Sequence, residues 1–213
     1  IAEIGQLIEH QYIGTQCGIM DQMASACAEF GQALYLDCQN LNTETIPIFS
    51  DHTFMVIHSG STRKLSEGKY NERKKETELA SEILNVSSLR NATKDNLELI
   101  KDGIIQKRAR HVITENERVQ KATQYLKEDN ALEFGNVMNE SHQSMDDDYE
   151  ISSPELNHVV NVSRRAGALG ARLTGAGFGG CVVLLLPSKK NDEIKENILK
   201  NCPHSYWVTN IKH

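Results

Sequence analysis

Four glycines, Gly175, Gly177, Gly179 and Gly180, crowd the six positions between two apolar runs near the end of the chain. Ala168 to Thr174 reads as a strand, and Cys181 to Leu186 as a buried strand stopped by Pro187. Glycine takes positive φ freely, so this connection is able to turn sharply and let other backbone come close. A strand follows it rather than a helix, and no Lys-Ser/Thr pair follows its glycines. Those two facts exclude a dinucleotide-binding loop and a Walker A loop. Alone, the segment reads as a hairpin turn, although its N–H groups are also able to form an anion-binding nest. An amphipathic helix over 189–200 and a strand over Ser205–Ile211 complete a β-turn-β-α-β tail. With Phe54–Ile57 as a fourth strand, the pattern predicts a four-stranded antiparallel sheet backed by helices, an α+β fold.

The middle of the chain reads as helical. A charged helix is expected over 63–85, a short one over 94–102, and the clearest over 107–127, where Ala109, Val112, Ile113, Val119, Ala122 and Leu126 recur every three or four positions. Another follows over 130–145. Ser153 before Pro154 marks a further helix start, with Ser as N-cap and Pro in the first turn. Towards the N-terminus, helices over 1–10 and 19–29 precede two short strands, Ala33–Asp37 and Glu44–Ile48. Ile1, Ile4, Leu7 and Ile8 recur at helical spacing with no cap ahead of them, so the opening reads as a cut through a helix of a longer protein.

Bulk properties narrow the function classes. Acidic residues outnumber basic ones by 29 to 23, and no Lys/Arg block is present, which argues against nucleic acid as partner. No apolar run reaches membrane-spanning length. Five cysteines without CxxC spacing suit reduced thiols and a cytoplasmic protein. Eight scattered histidines give no metal-binding pattern, so no metal site is expected within this chain.

Four segments carry candidate chemistry. In Cys17–Met23 a glycine opens a helix, and Asp21 sits in its first turn. Free N–H groups and the helix dipole keep a carboxylate ionised there, as suits a group that accepts or orients a hydroxyl proton. By itself that placement reads as dipole complementation. The glycine-rich turn is the second segment. Arg108–His111 reads by composition as a solvated basic helix start, and the acidic run Asp146–Glu150 as a solvated turn between helices.

Taken in order, Cys17–Gln22, Ala33–Leu41, Lys69–Glu76, Arg108–Val119, Glu140–Leu156 and Ala171–Cys181 resemble the galactokinases, a branch of the GHMP family of small-molecule kinases. The resemblance covers nearly the whole chain. It implies a remnant of the N-terminal catalytic domain over 1–50, then a ferredoxin-like C-terminal domain over 51–213 with an antiparallel sheet and several helices. It implies that Asp21 is the catalytic carboxylate facing the anomeric hydroxyl, and that Gly18, Asp21 and Tyr70 contact the sugar. Gly175, Gly177 and Gly179 would support the ATP phosphates. ATP and Mg²⁺ are the implied cofactors, and galactose the implied sugar, with N-acetylgalactosamine phosphorylation or galactose sensing without turnover as alternatives. The family's phosphate loop and opening sugar-binding motif are absent from these residues, so the chain is expected to be inactive alone. It is also expected to self-associate through the exposed edges of strands 33–37 and 44–48.

Overall fold

A computed structural model of the protein describes residues 1–14, 17–61 and 66–211. Helix α1 (Ala2–Ile8) runs into a single π turn (Glu9–Ile13), which ends at Gly14 with φ 80°. Helix α2 (Met20–Cys27) follows, then an antiparallel hairpin of β1 (Gln32–Leu36) and β2 (Thr43–Pro47). Strand β3 (His52–His58) leads into α3 (Ser66–Ile83), two 3₁₀ turns (Leu89–Asn91 and Lys94–Leu99), α4 (Gly103–Lys127), α5 (Ala131–Asp147) and α6 (Pro154–Ala166). The tail is β4 (Gly170–Thr174), β5 (Cys181–Pro187), α7 (Asn191–Asn201) and β6 (Tyr206–Ile211). Residues 63–65 of the expected charged helix lie outside the described residues. The short helix expected over 94–102 is a 3₁₀ turn, because Asp102 starts a new helix instead. Its carboxylate accepts from the N–H groups of Ile104 and Ile105 at 2.8 and 3.1 Å, so α4 begins at Gly103 rather than 107.

Strands β3 to β6 form an antiparallel sheet in the order β4-β5-β3-β6, the order of a ferredoxin-like βαββαβ unit. Helices cover it on both faces. Met55, Ile57, Val182, Leu184 and Leu186 face α6 and α7 through Leu156, Val159, Ile194 and Ile198. Phe54, Val183 and Leu185 face α5 through Phe134 and Met138. Burial on both sides is why β5 carries an unbroken apolar run rather than an alternating one.

Helix α5 lies unusually close to the edge strand β4. A Cβ on Gly135 would stand 2.6 Å from the backbone of Leu169, and one on Gly170 would stand 2.8 Å from Gly135 Cα. Asn139 completes the contact: its amide donates to the Leu169 carbonyl at 2.9 Å and its oxygen accepts from Ala171 N–H at 3.0 Å. The open edge of the sheet is thereby partly satisfied.

The hairpin β1–β2 carries no further strand on either outer edge among the described residues, but it packs against α4. β2 lies against α4 with Ile46 buried, Gln120 donates to the Tyr35 hydroxyl at 3.0 Å, and Lys127 pairs with Glu44. Arg90 grips Asp37 with both terminal nitrogens and holds its carboxyl down at about 2. Exposed apolar side chains gather on α1 and the π turn, at Ile4, Leu7, Tyr12 and Ile13, and Phe30 is exposed just ahead of β1.

Gly135→Ala is expected to destabilise the protein by about 1–3 kcal/mol, because a well-packed contact has no room for a methyl group. Gly103→Ala meets nothing within 4 Å and should leave the melting temperature unchanged or slightly raised. Parallel thermal melts of the two variants check this, and equal melting temperatures would contradict the close α5–β4 contact.

Candidate functional site

The glycine turn is a run of left-handed backbone. Gly175, Gly177, Phe178, Gly179 and Gly180 have φ of 82°, 78°, 59°, 120° and 89°. Two neighbours enforce this shape. A Cβ on Gly177 would fall 2.3 Å from the Ile151 carbonyl oxygen, and that oxygen accepts from Phe178 N–H at 2.7 Å. On the other side Ser59 N–H donates to the Gly180 carbonyl at 2.8 Å, and Gly180 N–H donates to Ser61 at 3.2 Å. Two of the turn's N–H groups are therefore already taken by protein carbonyls.

Tyr70 reaches the same region. It is 37% exposed on the first turns of α3. Its neighbour Lys69 places its ammonium 5.0 Å from the centre of the Phe178 ring, a cation–π contact that ties α3 to the glycine turn. Burial raises the Tyr149 hydroxyl pKa, and the nearby Tyr70 adds to the rise.

Between these elements runs the strap Asp148–Ile151, and here one sequence expectation fails and another holds only in part. Arg108 is no solvated helix start: it is 2% exposed, and each of its three side-chain nitrogens donates to an acceptor. Its Nε donates to Glu76 Oε2 at 2.9 Å, Nη1 to the Asp148 carbonyl at 2.6 Å, and Nη2 to Glu150 Oε2 at 2.8 Å. Arg73 donates to the Tyr149 carbonyl at 2.8 Å and to the same Glu76 oxygen at 2.6 Å. The acidic run stays partly solvated, with Asp147 and Glu150 exposed, but it is tied to its neighbours. Asp148 pairs with Arg110 at 2.9 Å, Asp146 accepts from Asn157 at 2.8 Å, and hydrogen bonding to Arg108 lowers the Glu150 carboxyl pKa. Charge complementarity between α4 and this run, 40 residues apart in sequence, compensates the burial of Arg108.

The two histidines beside this network are buried and neutral. His111 stacks on Tyr149 with ring centres 4.5 Å apart and bonds Ser144 Oγ at 3.0 Å, and burial pushes its pKa down to about 4. His142 Nδ1 accepts from Leu173 N–H at 3.3 Å, which makes its Nε2 the donor to Asn157 Oδ1 at 3.1 Å. Burial lowers its pKa too.

Asp21 and Gly18 stand apart from this assembly. Asp21 is exposed at the second position of α2, and among the described residues it makes no side-chain hydrogen bond or ion pair. Gly18 is exposed just ahead of α2, and a Cβ there would meet nothing within 4 Å. Cys17 and Gln22, on either side of them, are held by residues that sequence reasoning passed over. Glu9, in the π turn, accepts from the Cys17 thiol at 3.1 Å and from the Gln22 amide at 2.8 Å, while Gln6 donates to the Cys17 carbonyl at 3.2 Å. No sequence pattern marks Glu9 or Arg73; only the fold gives them partners. Among the described residues no group of three or more His, Cys, Asp or Glu could hold a metal ion.

The fold and these elements define a class. Residues 122–204 match the family described as GHMP kinases C terminal. The mevalonate kinase of L. major, solved with R-mevalonate, shares the fold at TM-score 0.59 and 20% identity, over 93% of this chain and 54% of that one. Within the class the chain is similar to galactokinases. That of Lactococcus lactis, solved with galactose, superposes at TM-score 0.91 with 33% identity, over 97% of this chain and 57% of that one. The Clostridium perfringens galactokinase is 41% identical over 207 residues, covering 92% of this chain and 54% of the relative. The galactokinase of Mannheimia succiniciproducens is 37% identical over 209 residues, covering 94% of this chain and 54% of the relative. The chain thus spans about half the length of the curated relatives it matches and corresponds to a C-terminal portion of them.

Both histidines bind protons more weakly in the fold than in an unfolded chain, where the pKa is about 6.5. For His111 that contribution is complete above pH 6.5 and drains away as pH falls towards 4, because only the unfolded state then takes up protons, and His142 acts in the same direction. Stability should drop by roughly 1–3 kcal/mol over that window. Urea midpoints at pH 7 and pH 4.5 measure it, and identical midpoints would contradict two buried neutral imidazoles.

Proposed function

We propose that a protein carrying this chain transfers the γ-phosphoryl group of ATP to the C1 hydroxyl of galactose, giving galactose 1-phosphate. The observation that carries the reading is the likeness to the galactose-bound Lactococcus lactis galactokinase over 97% of the chain. In this reading Asp21 accepts the C1 hydroxyl proton or holds that hydroxyl in line. Gly18 lies against the sugar, where its open surroundings leave room for a ligand, and Tyr70 bonds the ring. Gly175, Gly177 and Gly179 support the ATP phosphates from one side; the N–H groups already taken at Phe178 and Gly180 favour a supporting part over a full cradle. Mg²⁺ and most nucleotide contacts come from residues outside this chain. Residues 1–50 belong to the catalytic domain and 51–213 to the C-terminal domain, and the protein works in the cytoplasm. The separate two-stranded and four-stranded sheets on either side of residue 50 support that division.

Phosphoryl transfer depends on positioning and charge stabilisation more than on covalent chemistry. A general base contributes about 10²–10⁴-fold. In a protein of the relatives' full length, Asp21→Asn should therefore lower kcat by about that factor and shift galactose affinity only a few-fold. Equal losses in both would reduce Asp21 to a binding group. The 213 residues alone are expected to give no measurable ADP release with Mg-ATP and galactose; robust turnover would refute that. The apolar face of α1 and the π turn should make the isolated chain self-associate, with light scattering over a concentration series as the check.

A further inference from the structure

Positive φ is uncommon outside glycine, and two instances meet at the glycine turn. Phe178 has φ 59° and Glu150 has φ 53°, and Phe178 N–H is bonded to the carbonyl of Ile151, the residue after Glu150. Backbone of this kind persists only where its surroundings over-determine it, and it concentrates at functional sites. Arginines over-determine residues 148–150. Arg108 holds the Asp148 carbonyl and the Glu150 carboxylate, and Arg73 holds the Tyr149 carbonyl. One oxygen of Glu76 accepts from both guanidinium groups, at 2.6 and 2.9 Å, and so aligns them.

Arg73 lies three residues after Tyr70 on α3, which puts the two side chains on one helix face. Lys69 of the same turn sits over the Phe178 ring. A continuous set of contacts therefore runs from the Tyr70 face of α3, through Arg73 to the Tyr149 carbonyl, and through the Ile151 carbonyl to Phe178 N–H. The planar fork of arginine suits this task, because it addresses separate acceptors in fixed directions; a lysine ammonium offers no such geometry.

We infer that Arg73, Glu76 and Arg108 are positioning residues that lock the glycine turn to the Tyr70 face of α3, so that the sugar side and the phosphate side of the site favour each other's occupancy. The coupling rests on the proposed function for the parts played by Tyr70 and the glycine turn; the locking does not. The side chains of all three are largely buried and engaged with protein partners. They act through the strap, and a purely structural ion network would instead stabilise the whole domain evenly.

The test has two readouts on Arg73→Lys and Glu76→Gln, two variants so that one folding failure does not end the experiment. The first is hydrogen exchange in the 213-residue chain, followed at Phe178 and at Leu173 and Val182 of the sheet. Exchange at Phe178 should speed up about tenfold or more while the sheet amides keep their rates. Unchanged exchange at Phe178, or an equal rise at all three positions, overturns the locking. The second readout uses a protein of the relatives' full length and compares galactose affinity with and without a non-hydrolysable ATP analogue. The analogue should tighten galactose by about fivefold or more in the unaltered protein and by less than about twofold in the variants. No tightening in the unaltered protein, or full tightening in the variants, overturns the coupling. Failure of galactose to bind the unaltered protein at all would sink the sugar-kinase reading and the coupling with it, leaving the exchange result to decide the locking.

Discussion

Burying a guanidinium is costly unless its donors find acceptors, and Arg108 is buried with each of its three nitrogens donating to an acceptor. Its acceptors come from α3 and from the strap after α5, so α3, α4 and the strap must assemble together for the charge to be tolerated. Glu115 repeats the device on the next turns of α4. Burial pushes its carboxyl pKa up, but Arg172, Ser141 and Arg118 more than reverse this and hold it low. Through Glu115, α4 is joined to α5 by Ser141 and to the sheet by Arg172. Removing one partner from such a network leaves an uncompensated charge, which is why its members are far more interdependent than surface ion pairs.

The sheet reaches the same end by apolar means. β5 is covered on both faces, and the approach of α5 to β4 is so close that two facing glycines, Gly135 and Gly170, are needed to permit it. Asn139 then supplies the hydrogen bonds that the edge strand lacks. Holding α5 rigidly on the sheet also fixes the strap that leaves its C-terminus, and through the strap the glycine turn.

The N-terminal part is joined differently. Ile46 is buried where β2 lies against α4, and polar pairs rim the contact at Tyr35–Gln120, Asp37–Arg90 and Glu44–Lys127. Helix α2 packs on α1 and β1. Asp21 is therefore placed relative to Tyr70 through the hairpin, not through the network that organises Tyr70 and the glycine turn.

Much of this was legible in the residues themselves. The helix starting at Pro154 carries its own cap, with Ser153 Oγ accepting from Leu156 N–H at 3.3 Å. The turn at Gly175–Gly180 declares its need for positive φ, and the α+β pattern follows from strand and helix periodicity; these are properties of neighbours in the chain. The burial of Arg108–His111, the engagement of Asp146–Glu150 and the part played by Glu9 were not legible. A charged side chain reads as solvated until a partner distant in sequence is brought to it, and the partners of Arg108 lie 32 to 42 residues away. Sequence alone determined the elements and the local geometry of the glycine turn, because both depend on short-range sterics and capping. Only the tertiary structure decided which charges are buried and which loops are held together, because desolvation is set by contacts that exist only once the layers have packed.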